Sequence, residues 1–236
     1  MLAAVLGVSG CTIRLGPQGE DRLVPELLAR FPRDHVGGTF VEMGANNGLN
    51  SNTVQLEHRG WRGVCIEGAP GNFAMLRRNR PLCDNVHAVV TGGKIHNSTV
   101  TFREFGGGGG LCGHSGLLSM RSSKQWAGLL NSHRGTHYVD HQVRAVRFND
   151  IAREHRLQEV DVFVLDVEGA EMSVLKHWSW DTVHVRVWAI ENNKLDHAEL
   201  GALMAAHGYK CDHQKVNSIC GDREHAAPSV SRGGWG

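Results

Sequence analysis

Apolar positions in this chain gather into short unbroken runs, set between glycine turns and stretches with helical spacing. Thr39 to Met43 is such a run, entered through Gly37 and Gly38 and left through Gly44, which predicts a buried strand and a tight turn. Leu49, Thr53 and Leu56 then fall at i, i+4 and i+7, a helix that Asn50 or Ser51 would cap. Val64 to Glu67 predicts a second buried strand ending on a carboxylate. Pro70 opens a helix with Phe73 and Leu76 inward and Arg77, Arg78 and Arg80 outward, and Asn85 to Val90 a third strand. Strand and helix alternating at this spacing predict parallel crossover units, an α/β fold.

The pattern changes in the middle. Thr99 to Phe105 alternates as an exposed strand, and the five glycines Gly106 to Gly110 predict a mobile loop. Leu117 to Leu130 predicts a short helix, and Tyr138 to Phe148 alternates imperfectly. Residues 91–148 therefore read as an insertion over one end of the sheet. Regular pattern resumes at Asn149, a predicted N-cap for Asp150 to His155. Val160 to Leu165 is nearly all apolar, as a central parallel strand should be, and ends on Asp166. Ala170, Val174, Leu175 and Trp178 mark a helix, Val183 to Ile190 a strand ending on Glu191, and Leu200, Leu203, Met204 and His207 another helix. Tyr209 to Asp212 and Val216 to Cys220 predict a final strand pair. The division is an N-terminal segment with a first helix (1–38), one domain (39–225) and a loose tail (226–236).

Composition narrows the class. The 236 residues suit one core, and 25 basic against 24 acidic residues leave a net charge of +1, without the basic field that nucleic acid or anionic membrane would require. Small or neutral partners fit that balance better. Mean hydropathy is −0.28, and no apolar run approaches the roughly 20 residues of a membrane span. The apolar opening lacks a basic start, so the expected compartment is the cytoplasm, with a secretory or lipoprotein start left open by Val8-Ser9-Gly10-Cys11. Six cysteines without a CxxC pair read mostly as reduced thiols, with Cys65 in the core and a late Cys211 to Cys220 disulfide open. His133, His137 and His141 would align on a helix, but Gly135 and the strand-like Tyr138-Val139 oppose one. Cys112-Gly113-His114 and Cys211-Asp212-His213 are each half a zinc site. No metal site is expected from either pattern.

Candidate chemistry sits where an open parallel sheet binds ligands, outside the carboxyl ends of its strands. Glu42 lies inside the first strand, while Glu67, Asp166 and Glu191 end three others. Gly44 and Gly48 let the backbone turn sharply and approach a ligand, although the third glycine of a pyrophosphate loop is missing. Glu67 follows Gly44 by 23 residues, near the roughly 20-residue offset at which an acid takes ribose hydroxyls.

Phe40 to Gly48, Ser51-Asn52-Thr53, Trp61-Arg62-Gly63, Glu67, Phe73 and Asn79-Arg80 resemble the first half of the FkbM-type family of S-adenosylmethionine-dependent methyltransferases. The run Asp166-Val167-Glu168-Gly169-Ala170-Glu171, with Ile190-Glu191-Asn192-Asn193 after it, is similar to that family's D-x-E-G-A-E signature and following strand. Asn47 departs from the commoner Asp, and Ser218 from the usual acid.

The resemblance implies a single Rossmann-like, seven-stranded methyltransferase fold, mostly parallel, with helices on both faces. It also implies S-adenosyl-L-methionine as cofactor. Gly44, Ala45, Asn46 and Gly48 would wrap its methionine part, Glu42 would orient it, and Ser51 and Gly68 would complete the site. Glu67 would hold the ribose, His87 and Ala88 would lie near the adenine, and Asp166 would reach the ammonium or the acceptor. O-methylation of a small-molecule or glycan hydroxyl is the implied reaction. Asp166, Glu168 and Glu191 are the candidate bases or ligands for a divalent cation, while Glu168 and Glu171 equally suit a helix-start role. Two other readings stand beside it: a non-catalytic interaction module, and an NAD-dependent oxidoreductase that the missing third glycine disfavours.

Overall fold

A computed structural model describes residues 20–92, 98–106, 115–132 and 137–226. The leading segment before residue 20, most of the five-glycine run, Cys112, His114, His133 and the tail from residue 227 lie outside the described residues.

Seven strands form the main sheet: β1 (Thr39–Met43), β2 (Arg62–Glu67), β3 (Asp84–His87), β8 (Glu159–Leu165), β9 (His184–Glu191), β10 (Lys210–His213) and β11 (Asn217–Gly221). Their order is β10-β11-β9-β8-β1-β2-β3, parallel from β3 through β9 and antiparallel at the β9-β11-β10 edge. From β1 the chain winds outward to β2 and β3, then returns to β8 on the other side. The order thus reverses between β1 and β8, where a ligand crevice opens.

Helices cover both faces because β1, β8 and β9 send alternate apolar side chains to opposite sides. Val41, Phe163, Leu165, Trp188 and Ile190 meet α5 (Phe148–Glu154), α6 (Glu171–Lys176) and α7 (His197–Ala206). Phe40, Val162, Val164 and Val187 meet α1 (Glu20–Leu28), α2 (Val54–His58) and α3 (Pro70–Asn79). Trp178 and Trp188 belong to the first of these cores.

The middle of the chain builds a second sheet, β4-β7-β5-β6, from β4 (Val89–Val90), β5 (Ser98–Gly106), β6 (Gly116–Leu117) and β7 (His137–Val146), with α4 (Ser123–Ser132) beside it. The expected third strand therefore divides. Asp84 to His87 pairs with β2, and after Ala88 the chain leaves to pair Val89 and Val90 with β7. β5 is also less exposed than its alternation predicts, since Phe102 and Phe105 are buried. His137 and His141 lie on strand β7.

Two helix starts differ from expectation. α5 begins two residues early with Arg147 at its N-cap, and the Asn149 amide donates to Ser179 Oγ at 2.5 Å instead. Thr53, rather than Asn50 or Ser51, stands at the N-cap of α2. The cysteines carry the larger correction. Cys65 and Cys83 form a disulfide across 18 residues, Cys211 and Cys220 form a second between β10 and β11, and no described cysteine is free. Sequence spacing gave no sign of the first pair because β2 and the α3–β3 turn meet only in the fold. Among the described residues no helix is long and apolar enough to cross a membrane.

Candidate active site

Backbone hydrogen bonds fix the row of strand ends. Gly44 and Ala45 donate to Ile66 O at 2.9 and 3.0 Å, and Asp166 donates to Met43 O at 3.0 Å. The turn after β1 is thereby stitched to β2 on one side and β8 on the other. Gly44 has φ +94°, and a Cβ there would collide with the Asp166 carbonyl oxygen. Glycine is required on both counts. Gly48, at φ +82°, packs where a Cβ would meet Arg80 Cγ at 2.7 Å. Between them, the Asn47 side-chain oxygen accepts from Leu49 and Asn50 N–H, each at 3.0 Å, and Asn79 Nδ2 donates to Asn47 O at 2.7 Å. An amide oxygen does here what a carboxylate would, so the departure at Asn47 leaves the loop held.

Glu42 lies beneath this loop and is completely buried. Its carboxylate accepts from Asn52 N–H at 2.6 Å and from the hydroxyls of Ser51 and Thr53. Arg80 reaches the same group, with Nη1 at 3.7 Å from Glu42, Nη2 at 3.1 Å from Thr53 Oγ1 and Nε at 2.5 Å from Glu57. Glu42 and Ser51, expected among cofactor contacts, are thus placed in a buried network that braces the glycine loop.

Glu67 ends β2 and is also buried. Its two oxygens accept from Asn46 N–H at 2.8 Å and Ala69 N–H at 2.7 Å. A carboxylate has about four acceptor positions, so two remain for a ligand's hydroxyls. The second sheet covers this end of the crevice: Ala69, Val89, Phe102 and Val143 form one apolar cluster, and a Cβ on Gly68 would meet Val89 at 2.9 Å. Burial pushes the Glu67 carboxyl up to about 7 against the pull of those N–H donors, with the negative Glu104 of β5 adding to the rise. Glu104 itself accepts from Gly71 and Asn72 N–H, each at 3.2 Å, at the start of α3. His87 pairs in register with Glu67, stacks on Phe73 at 4.7 Å and lies 3.2 Å from Gly68 O through Nε2, while Ala88 is buried.

Across the crevice the acids crowd together. One carboxylate oxygen from each of Asp166, Glu168 and Glu191 lies within 4.8 Å of the others. Asp166 is held well above the ordinary carboxyl range by burial first, then by Glu191, Glu168, Glu171 and Glu42. Glu168 Oε2 accepts from Arg121 Nη2 at 3.1 Å and Lys194 Nζ at 2.9 Å, and Asn193 Nδ2 donates to Glu191 at 2.7 Å. Glu171 folds back to accept from Val167 and Gly169 N–H, each at 3.0 Å, and burial raises its carboxyl too. Oxygen donors of this kind suit a hard divalent cation. Two protein cations, Arg121 and Lys194, already sit on Glu168.

Residues 42–211, well over half of the chain, match the family described as the methyltransferase FkbM domain. The chain belongs to the FkbM methyltransferase domain family. A curated relative, Methyltransferase 1 of Beauveria bassiana (strain ARSEF 2860), is 27% identical over 191 residues, covering 77% of this chain and 75% of its own length. Among solved structures, the METTL16 MTase domain aligns at 10% identity and a TM-score of 0.48, covering 86% of this chain and 65% of that one. Fibrillarin of Aeropyrum pernix, solved with S-adenosyl-L-methionine, aligns at 11% identity and a TM-score of 0.41 over 84% and 72% of the two chains. Similarity at this distance carries nothing about substrate.

In this FkbM domain the glycine loop, Glu67, Asp166 and Glu191 stand along one edge, as their strand-end positions predicted, and His87 joins them because β3 ends there, inside the strand expected from Asn85 to Val90. Sequence reasoning missed Arg121, Lys194 and Glu104, which touch the site from segments distant in sequence. Arg121 sits in the insertion with no local pattern to mark it. Asn79 and Arg80 entered only through the family resemblance, and the helical pattern put Arg80 outward; it is instead buried, because Glu42 and Glu57 draw its guanidinium beneath the loop.

Proposed function

We propose that this FkbM domain is an S-adenosylmethionine-dependent O-methyltransferase acting on a hydroxyl of a small molecule or glycan. The observation that carries the reading is the pairing of two unlike carboxyls across one crevice, with a glycine turn pressed between them. The cofactor would supply a methyl group made electrophilic by its sulfonium. Gly44 to Gly48 would approach its methionine part, Glu67 would accept from both ribose hydroxyls, and His87 with Gly68 would border the adenine. The sheet over Glu67 would keep water from that end. Asp166, whose proton affinity burial and the neighbouring carboxylates raise well above the ordinary carboxyl range, suits a base that takes the hydroxyl proton as the new C–O bond forms. Glu191 would keep that affinity high by its charge. No step calls for a metal. Two disulfides favour an oxidising compartment over the cytoplasm.

The test has two parts. A thermal melt with S-adenosylhomocysteine at 100-fold its Kd should add roughly 2.7 kcal/mol, on the order of 5 to 10 °C, with no shift from NAD. Labelled methyl transfer should then reach members of a panel of sugar and phenol hydroxyls, fail on matched amines, and drop at least about 100-fold in Asp166→Asn. A melt unmoved by the homocysteine product would leave the non-catalytic module as the better reading.

A further inference from the structure

The signature loop from Asp166 to Glu171 is held mostly from within. Asp166 N–H bonds to β1, and Glu171 takes the N–H groups of Val167 and Gly169. Glu168, between them, has φ +57°, a left-handed conformation that a side-chain-bearing residue adopts at a cost of about 1–2 kcal/mol. Something must hold it there. Its carboxylate takes two outside cations on one oxygen: Lys194, from the turn after β9, and Arg121, from the insertion.

Arg121 is no loose surface arm. Its side chain is 9% exposed, and its guanidinium lies over the Trp126 ring at 4.8 Å. Trp126 is the buried anchor of α4: its Nε1 donates to Leu118 O at 3.0 Å, Phe105 packs on it at 6.0 Å, and Arg103 lies over it at 5.2 Å. Arg103 in turn covers Tyr138 and pairs with Asp140 through two 2.7 Å hydrogen bonds. A continuous set of contacts therefore runs from β7 through Trp126 to the carboxylate two residues beyond Asp166.

We propose that Arg121 is a positioning residue for methyl transfer: by gripping Glu168 it fixes the loop that aims Asp166, and ties that aim to the seating of the insertion. Glu168 is then a handle rather than a base, since its charge is committed to Arg121 and Lys194. This rests on the reading of Asp166 as the proton acceptor, but the grip itself is testable without an acceptor.

The experiment is hydrogen exchange on the whole protein, beside calorimetry with S-adenosylhomocysteine. Arg121→Met keeps the stem that covers Trp126 and removes the charge. It should speed exchange across 166–171 by about tenfold, the scale of one charged hydrogen bond, and leave product affinity within about twofold. Arg121→Lys should restore most of the protection. Glu168→Gln breaks the same contact from the other side and the Lys194 pair with it, so the double variant should exchange no faster than Glu168→Gln alone. Where an acceptor is in hand, turnover should fall while product affinity holds. Faster exchange confined to 115–132, or additive effects in the double variant, would overturn the grip and leave Arg121 a packing residue of the insertion. Wild type that exchanges as expected but binds no product would instead overturn the methyltransferase reading and spare the grip.

Discussion

The two ends of the crevice raise the proton affinity of a carboxyl by different means. At Glu67 the acid is enclosed by apolar neighbours, Phe102 and Val89 closing over Gly68, with one further carboxylate, Glu104, adding to the rise and backbone N–H donors pulling against it. At Asp166 burial is joined by four further carboxylates, and positive side chains stand off on Glu168. The first arrangement suits a group that should become charged when hydroxyls arrive. The second suits one that should take up a proton while reaction proceeds.

The sharpest way to break this contrast is to disturb the turn that separates the ends. Gly44→Ala places a methyl on the Asp166 carbonyl at a backbone angle alanine resists. Loss of about 3 kcal/mol or more is expected in urea unfolding, together with loss of product binding in calorimetry. Near-normal binding would mean the two ends are not braced against each other through this turn.

Next in size is the pH response of Glu67. Its folded affinity, about 7, exceeds the ordinary 4.5, so between those values the folded state keeps a proton that the unfolded chain has released. Stability of the free protein should therefore fall as pH rises from about 4.5 to about 7 and level off above, by on the order of 3 kcal/mol. Glu67→Gln should flatten that slope in urea melts across pH. Product affinity should run the opposite way in the wild type, weakening up to about tenfold per pH unit below about 7, where the carboxylate is lost. An unchanged slope in the variant would assign the pH response to the Asp166 end.

The smallest expected effect on product affinity comes from Cys65→Ser with Cys83→Ser. Opening that 18-residue link should cost about 2 to 4 kcal/mol of global stability. Product affinity per folded molecule should barely move, because Ile66 still receives Gly44 and Ala45. Weakened affinity would show that the link tunes Glu67.

Much of the contrast was legible in the chain. Parallel strands buried on both faces are written as near-continuous apolar runs, so an acid ending such a run stands out, and Glu67, Asp166 and Glu191 did. What distance in sequence hides was not legible. Ala88, where β3 gives way to β4, is apolar like its neighbours, and nothing local marks the change of sheet. Glu42 matched a cofactor position by resemblance, yet its partners Arg80 and Thr53 show it bracing the loop. The cysteine pairing of Cys65 failed for the same reason as Arg121: each partner is contributed by another element.

Glu104 belongs to the insertion, yet it caps the start of α3 and faces Glu67. The insertion and the sheet half that carries Glu67 are therefore not exchangeable modules. A chimera given another relative's insertion would import a different neighbour for Glu67, and the proton affinity of that carboxyl would shift with the graft. Redesign of this domain would have to carry Glu104 and Phe102 with the scaffold, as part of the surroundings of Glu67 rather than of the piece being swapped.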